Sequence, residues 1–395
     1  MGAQSTGTKK IENGSSSLPP TSMRIWRVAE KVWWETTTPP VLGKEVHQKA
    51  YKADGRYGVS AFTFLIMKPL LDDYNRRINY LRLSITDRCN LRCRYCMPEE
   101  GVDRIGHDDL LTYEEILRVV EVFARNGISK VRLTGGEPLV RKGVVDLVRG
   151  IGKIEGIRDL SLTTNGVLLG EYAEDLARAG LRRINISLDS LRPERFAYIT
   201  RRDKFKEVWE GIEAALRQGL SPVKINVVAI QGFNDDEVEE FARLALTYPL
   251  HIRFIEFMPM GEGNNWHEKG AIPTSRIMEA VGEVGELLPV GPEANDGPAQ
   301  RYYIKGGKGE IGFISPISSH FCAQCNRLRL TPDGGIRTCL FSDDEIDLKG
   351  IVRGAGGEAD IEEALHQALR AKPEGHHIGD VRFKKCQRGM HAIGG

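Results

Sequence analysis

No apolar run in the chain is long enough to cross a bilayer. The longest one, Ala61 to Met67, spans seven residues and includes a Thr, whereas a membrane-spanning helix needs about 20. Charge of either sign is not in excess. Fifty-five Lys and Arg nearly cancel 54 Asp and Glu, for a formal charge of +1. That balance excludes a generalised basic surface for wrapping nucleic acid and leaves room only for a local basic pocket. Cysteine is scarce too: seven in 395 residues is far below the density of a disulfide-stapled secreted scaffold. What is present is ordinary for a globular chain, with 41% hydrophobic and 28% charged residues, enough to bury a sizeable core. At roughly 150 residues per domain the length allows two or three domains, or one large barrel.

The first 66 residues differ from the rest. They hold a Gly/Ser patch (Gly14 to Ser17), two Pro pairs, and nine Lys/Arg against five Asp/Glu. Trp26, Trp33 and Trp34 sit here, yet no apolar period lasts long enough to define an element. No charged region leads into a long apolar core, so a secretory signal is not expected. Residues 1–66 are read as a non-catalytic extension, disordered or upstream of the natural start, with Met67 the expected natural start.

From Leu81 the pattern turns regular. Strand-like runs at Tyr80–Thr86, Val131–Thr134, Leu160–Thr164, Arg183–Leu188, Val223–Ile230 and Ile252–Met258 alternate with amphipathic stretches at Tyr113–Arg125, Glu171–Ala179, Phe205–Arg217 and Asp235–Leu246. Asn126-Gly127, Ala179-Gly180 and Gln218-Gly219 supply helix stops. Such alternation predicts an α/β fold with a parallel sheet, here a curved, incomplete TIM-type barrel of about six βα units spanning 67–290. In such barrels the chemistry sits on loops at the C-terminal ends of strands. Residues 291–395 lose the period and read as a smaller C-terminal α+β module, with short strands at Arg301–Ile304, Glu310–Ile314 and Arg327–Thr331 and a helix near Ile361–Arg370.

The cysteines fall in two sets of three. Cys89, Cys93 and Cys96 form C-x3-C-x2-C directly after the first strand. A structural zinc site wants four ligands and no fourth follows promptly, His107 being nearest; iron–sulfur clusters also normally take four. Three thiolates on one loop therefore fit a cluster with one iron left open, while spacing alone leaves zinc or an incidental grouping as alternatives. After the second strand comes Gly135-Gly136-Glu137-Pro138, whose glycines permit close backbone approach and whose Pro suits a helix start. Cys322 and Cys325, then Cys339 after thirteen intervening residues, make the second set; with His320 close by, zinc is again the alternative. If Asn326–Leu330 is a strand, Arg327 and Arg329 share one face and the leucines the other, and two guanidinium forks suit a phosphate.

The first set together with the Gly-Gly-Glu-Pro loop resembles the radical S-adenosylmethionine superfamily. Both sets, read with NYLRLSITDRCNLRCRYCMP at 79–98, VRLTGGEPLVR at 131–141, LTTNG at 162–166, RRINISLDS at 182–190, KINVV at 224–228, FIEFM at 254–258, FCAQCNRLRLT at 321–331 and the terminal Gly394-Gly395, resemble the family of GTP 3′,8-cyclases. These are the radical enzymes that open molybdenum cofactor biosynthesis. The resemblance implies two 4Fe–4S clusters, held by Cys89, Cys93 and Cys96 and by Cys322, Cys325 and Cys339. It implies S-adenosylmethionine contacts at Tyr95, Gly136, Ser187 and Met258, and GTP contacts at Arg82, Arg132, Thr163, Lys224, Arg327, Leu328 and Arg329. Gly394 and Gly395 would reach into the active site and assist catalysis, glycine being best able to thread between cluster and substrate.

The implied reaction is hydrogen abstraction from the ribose 3′ carbon of GTP by a 5′-deoxyadenosyl radical. Attack on guanine C8 and reduction then give 3′,8-cyclo-7,8-dihydro-GTP. The expected partners are a low-potential electron donor, a second copy of the chain in a homodimer, and cyclic pyranopterin monophosphate synthase as the downstream enzyme. A reducing cytoplasm is the expected compartment, with no membrane and no nucleic acid involved. Cys386 is read as unligated. Two rivals make different predictions. A peptide-modifying maturase of the same superfamily predicts more auxiliary cysteines; a zinc-binding interaction module predicts complete four-ligand sites and leaves Gly135–Pro138 without a role.

Overall fold

Six strands with inverted polarity build the centre of the molecule. In the computed structural model, residues 69–258, 270–291, 297–376, 378 and 386–394 are described. The extension before Met67 and the loop with Trp266 lie outside them. Strands β1 (Tyr80–Ser84), β2 (Lys130–Thr134), β3 (Asp159–Thr164), β4 (Arg183–Ser187), β5 (Val223–Ala229) and β6 (Leu250–Glu256) match the six expected runs within two residues at each end. Each is parallel to the next.

The segment after residue 290, with one short strand before it, adds strands to both ends of this same sheet. β7 (Leu287–Pro289), β8 (Gln300–Ile304) and β9 (Glu310–Ile314) extend it beyond β6, while β10 (Arg327–Leu330), β11 (Gly335–Arg337) and β12 (Glu345–Asp347) extend it beyond β1. The order is β12-β11-β10-β1-β2-β3-β4-β5-β6-β9-β8-β7, an open sheet, and the described residues belong to one compact unit. Residues from β10 at one side and β9 at the other line a single cavity, so the sheet curls into a partial barrel.

Helices cover the outside. α1 (Tyr113–Arg125) and α5 (Phe205–Arg217) have the expected limits, whereas α3 spans Leu169–Arg178 and α6 Val238–Thr247. Thr112 caps α1 by accepting from the Glu115 N–H while the Glu115 carboxylate accepts from the Thr112 N–H, a reciprocal box that satisfies two otherwise orphan donors. Ile116, Val119, Val120 and Phe123 of α1 are wholly buried; truncating Phe123 to Ala would cost about 3–5 kcal/mol. α2 (Val144–Gly152), α4 (Pro193–Thr200) and α7 (Thr274–Gly282) were not expected. They span only two to three turns, too short for periodicity to stand out. α8 (Leu348–Arg353), α9 (Glu358–Arg370) and the one-turn α10 (Met390–Ile393) complete the described helices.

Period-two alternation decides what the lumen holds. Leu81, Leu83, Val131, Leu133, Ile184, Ile186, Val223, Ile225, Ile252 and Phe254 are buried in the main apolar core. The alternate positions Arg82, Arg132, Thr163, Arg183, Lys224, Asn226 and Arg253 line the cavity instead. Closed (β/α)8 barrels fill that space with branched aliphatic side chains. Here the strands keep their aliphatics for the helix side and turn cations inward.

Candidate functional site

The cavity, of about 580 Å³, carries a cysteine set at each end. The loop after β1 turns sharply through Cys93, whose carbonyl accepts from the N–H groups of Cys96 (2.9 Å) and Met97 (3.1 Å). Two neighbours fix this loop. Arg92 N–H and Arg94 N–H donate to the carbonyls of Thr200 and Ile199 at the end of α4 (3.0 and 2.8 Å). From the other side, the N–H groups of Gly136 and Glu137 donate to the carbonyls of Thr86 and Arg88 (both 2.8 Å).

A Cβ on Gly135 would lie 2.5 Å from the Thr86 carbonyl oxygen, and one on Gly136 would lie 2.4 Å from that of Arg88. The glycines thus admit the cysteine loop's own backbone as their close neighbour, where the sequence reading had them admit a ligand. Gly135 also sits at φ +150°, which favours glycine. Glu137 is wholly buried. Its carboxylate accepts from Leu139 N–H (3.0 Å), Thr164 Oγ1 (2.8 Å) and Asn165 N–H (2.6 Å), and burial still pushes it up to about 7.

Burial dominates the first thiols, holding Cys89 near 11, Cys96 near 12 and Cys93 well above the free value. Cys89 Sγ accepts from Leu91 N–H (3.4 Å) and from Asn165 Nδ2 (3.7 Å). Tyr95 donates its hydroxyl to Asp189 Oδ2 at 2.6 Å, and Asp189 Oδ1 accepts from Val228 N–H at 2.9 Å. Burial lifts Asp189 to about 6.

Along the lumen the strand register lays cations side by side. Arg329 of β10 is paired with Arg82 of β1, and Arg82 with Arg132 of β2; Lys224 of β5 is paired with His251 of β6. Burial, then the surrounding arginines Arg253, Arg183, Arg132 and Arg301, bring Lys224 down to about 7. Burial likewise lowers Arg253 to about 9 and Arg82 to about 10. Burial pushes the Tyr80 hydroxyl up, but Arg132, Arg82, Lys130 and Arg327 outweigh it and bring it down to about 8. So much like charge at close quarters is unfavourable without an anion to offset it. The buried Thr163 Oγ1, Asn226 Oδ1 and Arg253 Nε at the cavity have no protein partner, as a polar ligand requires.

The second set lies at the opposite end. Cys322 and Cys325 precede β10, which runs parallel to β1, and Cys339 follows β11, antiparallel to β10, which returns it to the same place. Lys372, 3% exposed, donates to the carbonyls of Arg327 (2.8 Å) and Thr338 (2.6 Å). Burial would raise Cys325, yet Arg327 and Lys372 bring it down to about 6. Cys386 is apart: its thiol donates to Asp343 Oδ1 at 2.9 Å and accepts from Arg337 Nη2 at 3.1 Å, and it lies in a small satellite core.

Most of the expected residues converge. All six cysteines, Tyr95, Gly136, Ser187, Met258, Arg82, Arg132, Thr163, Lys224, Arg327 and Arg329 line the one cavity. Leu328 does not: it is 0% exposed in the apolar core, because period two turns it away from its arginine neighbours. Gly394 lies against the C-terminal ends of β1 and β2, at φ +67° and with a Cβ position 2.4 Å from Thr134 Cγ2 and 3.3 Å from Ser84 Cβ. Its carbonyl accepts from Arg82 Nε (3.0 Å) and Arg329 Nη1 (2.6 Å). Gly395 lies outside the described residues. Sequence reasoning missed Arg183, Arg253, His251, Asp189 and Lys372; the first two were findable as polar alternate positions of strands already assigned, and His251 lies one residue before the expected run, in a strand that begins at Leu250.

No three His, Cys, Asp or Glu side chains among the described residues are gathered tightly enough to hold a single metal ion. Each cysteine set opens instead toward the cavity. Three cysteines of each set facing one cavity fit the donor chemistry of an iron–sulfur cluster.

Comparison with known proteins gives concordant results. The Radical SAM superfamily matches residues 83–245 and Molybdenum Cofactor Synthesis C matches residues 250–378. A Moorella thermoacetica protein named GTP 3′,8-cyclase is 51% identical over 324 residues, covering 82% of this chain and 99% of that protein. One of the same name from Syntrophomonas wolfei is 49% identical over 326 residues, covering 82% and 100%. Among solved structures, Streptococcus suis SuiB bound to precursor peptide SuiA superposes with a TM-score of 0.53 over 80% of this chain and 76% of its own. At 15% identity that likeness is one of fold.

Proposed function

Because the chain belongs to the GTP 3′,8-cyclase family of radical S-adenosylmethionine enzymes, we propose that its cavity converts GTP to 3′,8-cyclo-7,8-dihydro-GTP, the first step of molybdenum cofactor biosynthesis. One observation carries the assignment to this cavity: two three-cysteine sets at its opposite ends, with a row of arginines between them. The chemistry supplied when the cofactors are bound is reductive cleavage of S-adenosylmethionine at a 4Fe–4S cluster, giving a radical able to take hydrogen from the ribose 3′ carbon.

Cys89, Cys93 and Cys96 would hold that cluster within residues 67–290, and Cys322, Cys325 and Cys339 a second one within 291–395. Tyr95, Gly136, Ser187 and Met258, which line the same cavity, are the residues this reading gives to S-adenosylmethionine. Arg82, Arg132, Lys224, Arg327 and Arg329 offset the triphosphate, and Thr163 offers a free hydroxyl. Gly394, fixed by Arg82 and Arg329, brings backbone alone to the space where ribose and radical must meet. The protein's contribution is alignment and exclusion of water. Of the described residues, no helix is long and apolar enough to cross a membrane. A low-potential electron donor, a homodimeric state and cyclic pyranopterin monophosphate synthase as the consumer of the product complete the reading.

The test is iron and sulfide content with GTP turnover, measured anaerobically on wild type and on a Cys322→Ala/Cys325→Ala/Cys339→Ala variant. About eight irons per chain should fall to about four in the variant, with S-adenosylmethionine cleavage retained and cyclisation lost. Equal iron in both proteins removes the second cluster from the reading.

A further inference from the structure

The tail that brings the Gly394 carbonyl to Arg82 and Arg329 pairs with no strand among the described residues, and chain termini fray unless tied down. Its last described stretch is nevertheless gripped at two points. Arg388 makes a two-pronged bond to Asp333, Nη1 to Oδ1 at 2.9 Å and Nη2 to Oδ2 at 2.8 Å, and its Nε lies 3.2 Å from Glu345 Oε1. One residue earlier, the Gln387 N–H donates to both oxygens of Asp343, at 3.2 and 3.0 Å. Asp333 lies in the turn between β10, which carries Arg327 and Arg329, and β11, and Asp343 lies between Cys339 and β12. The anchors therefore belong to the same hairpins that carry the second cysteine set. Planar, doubly bonded Arg–carboxylate pairs fix orientation as well as distance.

We propose that Asp333 and Asp343, acting on Arg388 and Gln387, are positioning residues that hold the Gly-Gly tail in register with the cavity. Gly394 lies six positions beyond Arg388, a reach of at most about 22 Å. Anchored there, the tail finds its seat against Ser84 and Thr134 as a local event. Released, it samples a far larger volume, and its effective concentration in the lumen falls. Neither aspartate nor Arg388 lines the cavity, so the pair acts through the tail. This inference rests on the proposed role of Gly394 in turnover.

The experiment compares wild type, Asp333→Asn, Arg388→Gln, their double variant and Arg388→Lys as full-length, anaerobically reconstituted proteins. It reads amide hydrogen exchange of the peptide covering 387–395, kcat and KM for GTP and S-adenosylmethionine, and iron per chain. Each single variant should speed tail exchange by about tenfold and lower kcat by a similar factor, with iron and the KM for S-adenosylmethionine unchanged. The double variant should be no worse than either single one, and Arg388→Lys should recover part of the loss. Unchanged tail exchange, or faster exchange with wild-type kcat, overturns the proposal. Loss of iron in Arg388→Gln overturns it too, by making the pair part of the module's fold. A wild type that makes no product from GTP sinks the proposed function instead, while the exchange comparison still decides whether the pair holds the tail.

Discussion

The two cysteine sets solve the same problem in opposite ways. The first lies on one loop of eight residues, Cys89 to Cys96, and burial pushes all three of its thiols up. The second is gathered from the approach to β10 and the exit of β11, and its thiols differ: burial pushes Cys322 up, but Cys325 faces standing positive charge. Arg327 and Lys372 bring Cys325 down to about 6. A loop that is local in sequence can be held largely by backbone bonds, here to α4 and to the Gly135–Glu137 turn, with Arg201 and Asn165 adding side-chain bonds. A site assembled from distant segments needs side chains that reach between them. Lys372 does so, binding the carbonyls beside Cys325 and Cys339 at once.

The largest effect that would sharpen this contrast is Gly136→Ala. Its new Cβ falls 2.4 Å from the Arg88 carbonyl oxygen, so the cysteine loop must move and the two bonds to Thr86 and Arg88 break, at a cost of about 1–3 kcal/mol. Iron should drop to about four per chain with the second set still loaded, and both S-adenosylmethionine cleavage and cyclisation should vanish. Full iron and normal cleavage would show that backbone fit does not hold the first set.

Lys372→Met tests the other side. Two buried carbonyls lose their donor, which destabilises the region by about 1–3 kcal/mol. The variant should keep S-adenosylmethionine cleavage while losing second-set iron and GTP affinity, read by metal analysis and equilibrium binding. Loss of cleavage as well would mean that the two ends are not separable.

The smallest expected effect concerns the lumen between them. Lys224, near 7, is charged below that pH, so its contribution to GTP binding is present at pH 6 and fades as pH rises through 7 to 8. The ratio of GTP affinity between wild type and Lys224→Met should therefore shrink over that range, by about tenfold at most. A ratio independent of pH would place Lys224 away from the triphosphate.

Much of this was legible beforehand because it is local. The limits of α1 and α5 follow from strong 3.6-residue periods and from the Asn126-Gly127 and Gln218-Gly219 stops. The first cysteine set, the Gly-Gly-Glu-Pro loop and the six parallel strands are likewise short-range patterns. Helix α4 was missed although it anchors the cysteine loop, since eight residues (Pro193–Thr200) hold too few turns to show a period. Leu328 was placed with the arginines as part of one contiguous motif, yet alternation along the strand sends it to the core.

Sequence alone determined the donor chemistry and the sidedness of the strands. Two sets of three thiols, aliphatics at every second strand position and cations at the others are properties of residue order and of period-two geometry. The tertiary structure decided which of those groups meet. Strand order puts β10 beside β1, so Arg329 stands next to Arg82 across 247 residues of chain. The parallel direction of that pair sends the cysteine sets to opposite ends, and Asp333 ties down a tail 55 residues away. Such meetings depend on how distant segments share one core, a free energy summed over the whole chain that no short window of it contains.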